Sequence, residues 1–559
     1  MPAADASGAG TLRSAACGAL SALAFALSFP LSEDFVAGWP LAFAWPALLA
    51  LAAWSAPSWR ALAACIGIPF LSAFLAHQWW MSAVTALGMP VLVAYLAGWT
   101  VLFAFLVRVL AGTPSAPRWP FAVALPVALV SIEFLRGDLV CTGYAWFFAA
   151  HPLVEWTEVA QVASLGGGWL LSALAALVAG GAVDLAVRRG HVRSASPAVA
   201  VAALGAAFAF GSARIAALDA APRTEPPRIV LVQTNLPMSN KIAWSPDAQV
   251  EDFRAFARVT IEGVREARES GPVDAAVWPE TMVPGIGLEP ESLRTLVEGG
   301  YFPSDRFEQA LRELSTLVGA PLVVGSPAYL GLRVEGQRYA WDRQFNSAYL
   351  VGPEGRLART DKIFLTPFGE TMPIISRSDW LEQRLLDLGA HGMTFDLDAA
   401  DSPSLLRVPS GAGEVALGVP ICFEITAPWA SRRIAFHDGA RQAEVLVNIS
   451  NDGWFDTSRA GRRQHLQVAQ LRAAELATPV LRAANTGISA EIDAAGRIVA
   501  RLPAQTEGTL AAAPRRATGV PLAARVGDGV AWCALAASVV GLALERRRSK
   551  AGRADKAAT

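Results

Sequence analysis

The sequence predicts a membrane α-helical bundle of eight spans joined to an α/β domain. Three observations predict it. The chain of 559 residues is 53% hydrophobic and only 17% charged, against roughly 25% charged in an ordinary soluble protein. From Leu12 to about Leu218 it is a series of apolar runs, most of them near the ~20 residues a span needs. Between that series and a last apolar run at about 526–544, residues 223–516 carry most of the charge. There, short β-branched runs alternate with amphipathic stretches.

The first seven runs are 12–30, 39–54, 61–81, 90–111, 119–136, 165–187 and 197–218, and 39–54 is the shortest. Run one lacks a small-residue cleavage site and is followed by six more, so it reads as an anchor rather than a signal peptide. Loop charges set the orientation. Arg13, Arg60, Arg108, Arg118, Arg188, Arg189, Arg193 and the tail Glu545-Arg546-Arg547-Arg548-Ser549-Lys550 all fall on one side. The opposite loops hold Glu33, Asp34, Asp138, Glu155 and Glu158, with Arg136 as the lone base. The basic side belongs in the cytoplasm. Residues 1–222 then form a seven-span domain, 223–516 lie outside, and 517–559 return through an eighth span to a basic tail. In a bacterium the middle domain would face the periplasm from the inner (cytoplasmic) membrane.

The formal net charge of −1 argues against nucleic acid, whose phosphates demand a basic face. The five cysteines, Cys17, Cys65, Cys141, Cys422 and Cys533, are scattered and odd in number. They suit neither a disulfide framework nor a metal site. No phosphate-binding glycine motif is present, so no cofactor or metal is expected.

Within the middle domain, Ile229–Gln233, Ala275–Trp278, Leu322–Gly325, Ala348–Val351, Val415–Pro420 and Val445–Ile449 read as buried strands. Helical patterns over Ala248–Arg268, Arg306–Leu317 and Arg463–Ala477 separate them. The alternation predicts helices covering sheet faces. Chemistry-bearing residues sit at the strand ends: Val277-Trp278-Pro279-Glu280, then Arg359-Thr360-Asp361-Lys362 running on to Pro367-Phe368-Gly369-Glu370, then Pro420-Ile421-Cys422-Phe423-Glu424. A cysteine opening a helix meets the positive end of its dipole, which favours thiolate. A carboxylate can take its proton, and an ammonium can stabilise an oxyanion. Taken singly, each has a plain structural reading: a packed core thiol, a turn carboxylate, a solvated amine. Lysine is scarce, at four residues (Lys241, Lys362, Lys550 and Lys556), and an amine whose pKa can shift is the role arginine cannot fill.

Together and in this order these motifs resemble the nitrilase superfamily, whose members use a Glu, Lys and Cys set. Asn451-Asp452-Gly453-Trp454-Phe455 and Arg482-Ala483-Ala484-Asn485-Thr486-Gly487 fit as well. The placement of such a domain between a seventh and an eighth span resembles one branch, the apolipoprotein N-acyltransferases. Gln233-Thr234-Asn235, Phe345-Asn346-Ser347-Ala348 and Thr142-Gly143-Tyr144-Ala145-Trp146 look like that branch too.

The resemblance implies an αββα sandwich with Cys422 as nucleophile, Glu280 as general base and Lys362 stabilising the oxyanion. Glu370 and Glu424 match supporting acidic positions, and Asn346 and Trp146 match residues tied to activity. Trp244 matches a tryptophan on a mobile arm near the lipid entrance. Phe423 stands where tyrosine is common, Ala145 stands where proline is common, and 284–303 resembles an enlarged arm. The implied reaction moves an acyl chain from a membrane phospholipid through a Cys422 thioester to the N-terminal amine of a diacylated apolipoprotein. A membrane-tethered amidase or hydrolase would use the same residues with water as acceptor. A scaffold with a dead domain would not need all three.

The loop charges make the orientation testable. A reporter active only outside the cytoplasm is expected to be active when fused near Ala220 and silent when fused after Lys550. The reverse pattern would refute the assigned sidedness.

Overall fold

The computed structural model describes residues 2–221, 225–237, 244–336, 338–372, 380, 397–411, 413–455 and 458–558. The chain divides into two compact units, residues 1–216 with 526–559, and residues 217–525.

The first unit is helical. Its elements are α1 Pro2–Ser28, α2 Leu41–Ser55, α3 Trp59–Gln78, α4 Gly88–Ala111, α5 Phe121–Phe134, α6 Ala163–Val187, α7 His191–Ala220 and the C-terminal helix Gly529–Ala558. Six of these, all but α2 and α5, are long and apolar enough to cross a membrane. The chain is a multi-pass membrane protein on that ground. Two predicted spans come out shorter. Helix α2 has 15 residues because Pro40 caps its start and Ala56-Pro57 follows its end, and the residue before a proline leaves the helical region. Helix α5 has 14 residues and runs on through a π-helical turn, Leu135–Leu139.

Aromatic packing and close backbone approach hold this unit together. Phe25 meets Phe29, Trp45, Phe70, Phe74 and Phe147 with ring centroids 5.0–5.9 Å apart. A Cβ on Gly18 would lie 2.1 Å from the Cys65 carbonyl oxygen, so α1 and α3 touch where only glycine fits, the small-residue packing of helices in lipid. Asp184 on α6 caps α5. Its carboxylate accepts from the N–H groups of Phe121 (2.9 Å) and Ala122 (3.0 Å) and pairs with Arg188 at 3.4 Å.

The second unit is a four-layer sandwich. Strands β1 Ile229–Gln233, β2 Ala275–Val277, β3 Leu322–Leu330, β4 Arg343–Gly352, β5 Gly355–Asp361, β6 Leu405–Ser410, β7 Gly413–Gly418, β8 Val445–Ser450, β9 Val480–Ala484, β10 Ala490–Ile492, β11 Ile498–Arg501 and β12 Gly508–Ala512 form two six-stranded sheets. Their orders are β12-β1-β2-β3-β4-β5 and β6-β7-β8-β9-β10-β11. The pairs β1–β2, β2–β3, β7–β8 and β8–β9 are parallel.

Alternation along the strands builds the layers. Ile229 and Leu231 of β1 join Val415 and Leu417 of β7 and Val445 and Val447 of β8 in one core. Val230 and Val232 face the opposite way, into a core covered by helices α8 Pro246–Arg268 and α10 Arg306–Val318. Helices α11 Pro428–Ala435 and α12 Arg459–Leu476 cover the other sheet. Between β2 and α10 lies α9, Pro290–Gly299. The 284–303 segment that carries α9 is anchored through Glu289, which pairs with Arg359 and, at 3.4 Å, with Arg356.

Removing the Asp184 carboxylate leaves two helix N–H groups without their acceptor and takes the ion pair from buried Arg188, which keeps its bonds to the Ala111 and Trp119 carbonyls. Breaking a buried pair on one side costs about 3–5 kcal/mol. Asp184→Ala should therefore lose folded protein at clearly lower temperature than wild type on heating in detergent, and an unchanged midpoint would refute the cap.

Candidate active site

Glu280, Lys362 and Cys422 follow strands that run in one direction. Glu280 lies three residues past β2, Lys362 directly after β5 and Cys422 four residues past β7. In open α/β sheets ligands bind outside the carboxyl ends of the strands, and all three side chains emerge there. Asn346, on antiparallel β4, reaches the same end from the other direction.

Glu280 is held at both oxygens. Asn346 Nδ2 donates to Oε1 (2.7 Å) and the Asn451 N–H donates to Oε2 (2.8 Å). The chain turns sharply next to it, with Thr281 at φ +53. Gly325 of β3 lies beneath this turn, where a Cβ would come within 2.5 Å of Thr281 N and 2.7 Å of Glu280 Cα.

Lys362 is fully buried, and its Nζ donates to Glu370 Oε2 at 2.6 Å. Burial pulls its pKa down, but Glu370, the sulfur of Cys422 and Glu280 outweigh burial and hold it above the usual lysine value. It stays an ammonium. Glu370 is the mirror case: burial pushes it up, and Lys362 overrides this to leave it below the usual range. Glu370 also accepts from Asn346 Nδ2 (2.9 Å) and the Thr366 N–H (2.8 Å).

Cys422 sits at φ +54 and opens a five-residue 3-10 helix, Cys422–Thr426. This corrects one expectation. The dense surroundings of the sulfur and the Glu280 carboxylate push the thiol well above its ordinary value, against the opposing pull of Lys362 and Ser450. At rest Cys422 is a thiol, because a single short turn does not offset burial beside an anion. A thiolate there has to be made by moving the proton to a base, and the Glu280 carboxylate is near enough for its charge to bear on the sulfur.

Glu424 is a clamp. One oxygen accepts from the N–H groups of Ile363 (2.8 Å) and Phe364 (2.9 Å), the other from Ile421 (2.8 Å). It ties the residues after Lys362 to the residue before Cys422. Burial pushes its pKa up to about 7. Phe423 stacks on Phe364 at 6.3 Å. Trp244 packs away from this cluster, against the helix-covered core, and donates to Asp252 at 2.7 Å. Trp146 belongs to the other unit, where it is buried.

A second buried network was not assigned a role from the sequence. Arg482 donates to Asp452 Oδ1 and Oδ2 (2.8 and 2.7 Å) and to Asn448. Asn448 Nδ2 donates to the carbonyls of Pro420 (2.8 Å) and Cys422 (3.2 Å). The His465 ring also bonds the Cys422 carbonyl. Asn485 links Asn451 to Thr234 and Leu236. The signal was legible: Asn448, Ser450 and Arg482 interrupt otherwise apolar strands, and a buried polar group demands a partner. Among the described residues no three His, Cys, Asp or Glu side chains come together as a metal site.

Residues 231–522 match the carbon-nitrogen hydrolase family, and residues 18–181 match the apolipoprotein N-acyltransferase N-terminal domain. An apolipoprotein N-acyltransferase of Geobacter metallireducens is 30% identical over 547 residues, covering 95% of this chain and 94% of its own. The chain belongs to the apolipoprotein N-acyltransferase family. Relatives of the same name from Bradyrhizobium diazoefficiens and Rhodopseudomonas palustris are 32% and 31% identical, each covering 84% of this chain and 80% of their own. The NitFhit protein of C. elegans has 18% identity and a TM-score of 0.33 over 52% of this chain and 61% of its own, too distant to bear on the site.

Glu424 generates a signed prediction. Its carboxyl titrates near the ordinary 4.5 when unfolded and near 7 when folded, so between these values the folded chain keeps a proton that the unfolded chain gives up. Its contribution to stability therefore falls as pH rises from about 4.5 to 7. Glu424→Gln should flatten that slope. It also turns one acceptor into a donor against a backbone N–H, costing about 1–3 kcal/mol. Thermal unfolding from pH 5 to 8 measures both, and an unchanged slope would refute the clamp.

Proposed function

We propose that this acyltransferase moves an acyl chain from a membrane phospholipid, through a thioester on Cys422, to the N-terminal amine of a diacylglyceryl-cysteine on apolipoproteins. The supporting observation is the meeting of one carboxylate, one ammonium and one thiol at a common sheet end, in a chain whose relatives are named for this transfer. Glu280 takes the thiol proton as sulfur attacks the ester carbonyl. Lys362 faces the oxyanion that forms, with Glu370 keeping it charged. Glu280 then returns the proton to the departing lysophospholipid oxygen.

In the second half-reaction the lipoprotein amine attacks the thioester, Glu280 receives the amine proton, and sulfur leaves. A thioester divides one difficult transfer into two easier ones. Asn346 and Glu424 position these groups, and Phe423, Trp146 and Trp244 are assigned to substrate binding by family resemblance rather than by contact with the cluster. In this reading α2 and α5 also cross the membrane, giving eight spans, with residues 223–516 on the periplasmic side of the bacterial inner membrane.

Two separable half-reactions predict a burst. With phospholipid alone, purified enzyme should release one equivalent of lysophospholipid per site and then stall, with a hydroxylamine-sensitive acyl group on Cys422. A diacylated lipopeptide with a free N-terminal amine should discharge it, and N-acetylation of that peptide should abolish the effect. Cys422→Ser should give no burst, since an alcohol is a far poorer nucleophile. Continuous formation of free fatty acid without an acceptor would make the enzyme a hydrolase instead.

A further inference from the structure

The sulfur of Cys422 has a neighbour that the triad leaves unused. Ser450 is the last residue of β8 and is fully buried. The parallel bridge between Ile421 and Ile449 sets Cys422 alongside Ser450, and the Ser450 hydroxyl favours the charged form of the Cys422 sulfur. That hydroxyl also donates to Asp452 Oδ1 at 2.8 Å. A serine has one hydroxyl hydrogen, so it cannot donate to both at once.

We propose that Ser450 is a further catalytic residue: a hydroxyl rotor that gives its hydrogen to Asp452 at rest and turns it onto the Cys422 sulfur whenever that sulfur carries negative charge.

At rest the sulfur is a thiol and offers its own hydrogen, so Ser450 needs only to present a lone pair to it. When Glu280 takes the S–H proton, the bonding pair stays on sulfur, and the sulfur becomes the stronger acceptor. The hydroxyl turns, and no proton leaves Ser450. The thiolate forms a second time when the amine displaces it from the thioester: the C–S bond breaks and its electrons stay on sulfur. The hydroxyl meets that charge until Glu280 returns a proton.

The surroundings make the turn inexpensive. Asp452 keeps both Arg482 contacts when Ser450 lets go, and Arg482 with His465 already holds this carboxylate far below its usual range against the cost of burial. Arg482 also lies 3.0 Å from His465 Nδ1. Burial and Arg482 keep His465 neutral, so its bond to the Cys422 carbonyl fixes the main chain while the hydroxyl moves. The fixed part is thus the frame of Asp452, His465, Arg482 and Asn448, and the moving part is a single O–H bond. This assignment rests on Cys422 being the nucleophile, as in the proposed function.

The test uses full-length enzyme in detergent and reads alkylation of Cys422 by iodoacetamide, followed on the Cys422 peptide by mass spectrometry across pH 7–10. Alkylation needs no acyl donor, so it probes the sulfur independently of the transfer reaction. A hydrogen bond to a charged group of this kind corresponds to roughly a tenfold effect or more. Ser450→Ala should alkylate at least about tenfold more slowly at a given pH, with its pH midpoint moved up. The same variant should slow both the lysophospholipid burst and discharge by lipopeptide. Ser450→Thr, which keeps the hydroxyl, should recover most of each rate. Unchanged alkylation in Ser450→Ala overturns the proposal. So does a fall that Ser450→Thr fails to recover, because the loss then follows packing rather than the hydroxyl. Normal alkylation behaviour with no acyl burst in wild type would instead overturn the transferase reading and leave the rotor standing.

Discussion

A fully buried ammonium is the constraint on which the catalytic unit depends. Lys362 has no exposed surface, and an isolated charge in such a place is costly enough that it would neutralise. It remains charged because Glu370 pairs with it. Glu370 in turn shares Asn346 with Glu280. One amide nitrogen therefore joins Glu280 to the Lys362–Glu370 pair. Every strand supplying a member must end in register with the others: β2 for Glu280, β4 for Asn346, β5 for Lys362. Small deviations in that register would leave a buried charge unpaired, so the electrostatics specify the geometry of the sheet end.

The second sheet is bound to this frame by backbone rather than by side-chain charge alone. Glu424 clamps Ile363, Phe364 and Ile421 together, and Asn451 passes its N–H to Glu280 from the end of β8. Four non-glycine residues near the site, Asn235, Thr281, Phe368 and Cys422, hold left-handed backbone conformations. Each costs of order 1–3 kcal/mol and survives only where the surroundings over-determine it. Cys422 has that support: Asn448 and His465 both grip its carbonyl.

Much of this was legible in the chain. The apolar, β-branched runs located most of the parallel strands because parallel strands buried on both faces read as continuous apolar segments. The predicted Ile229–Gln233 is the observed strand. Helices over 248–268 and 306–317 were legible from amphipathic spacing and came out within two residues. Strands β5, β6 and β9 to β12 were missed; β10 and β11, for example, have only three and four residues and mix apolar with charged side chains, with nothing local to separate them from loop. The candidate residues were legible as a set, from the order of three weak signals. Their hydrogen bonding was not, since Asn346 bridging two carboxylates 66 and 24 residues away leaves no local pattern. The state of Cys422 was misjudged for the same reason: a helix start is visible in sequence, whereas a carboxylate arriving from another sheet is not.

In the proposed reaction, charge moves inside the protein without being created there. The proposed base Glu280 starts as a carboxylate beside anionic Glu370, cationic Lys362 and neutral Cys422, for a sum of minus one. When the thiol proton passes to Glu280, the sulfur gains what the carboxylate loses. When the ester carbonyl is attacked, the charge moves from sulfur to the oxyanion beside Lys362. When the tetrahedral centre collapses, it passes to the departing oxygen and, with the returned proton, back to Glu280. The amine half-reaction retraces the sequence with nitrogen in place of oxygen. At no stage does the buried site have to accommodate a new net charge, whose desolvation would be the dominant cost in such surroundings. Only the position of one negative charge changes, and each position has a donor within reach: Asn346 and Asn451 at Glu280 and, as proposed, Ser450 turning onto sulfur and Lys362 at the oxyanion. Preorganised dipoles of this kind need no rearrangement beyond a bond rotation as the charge passes.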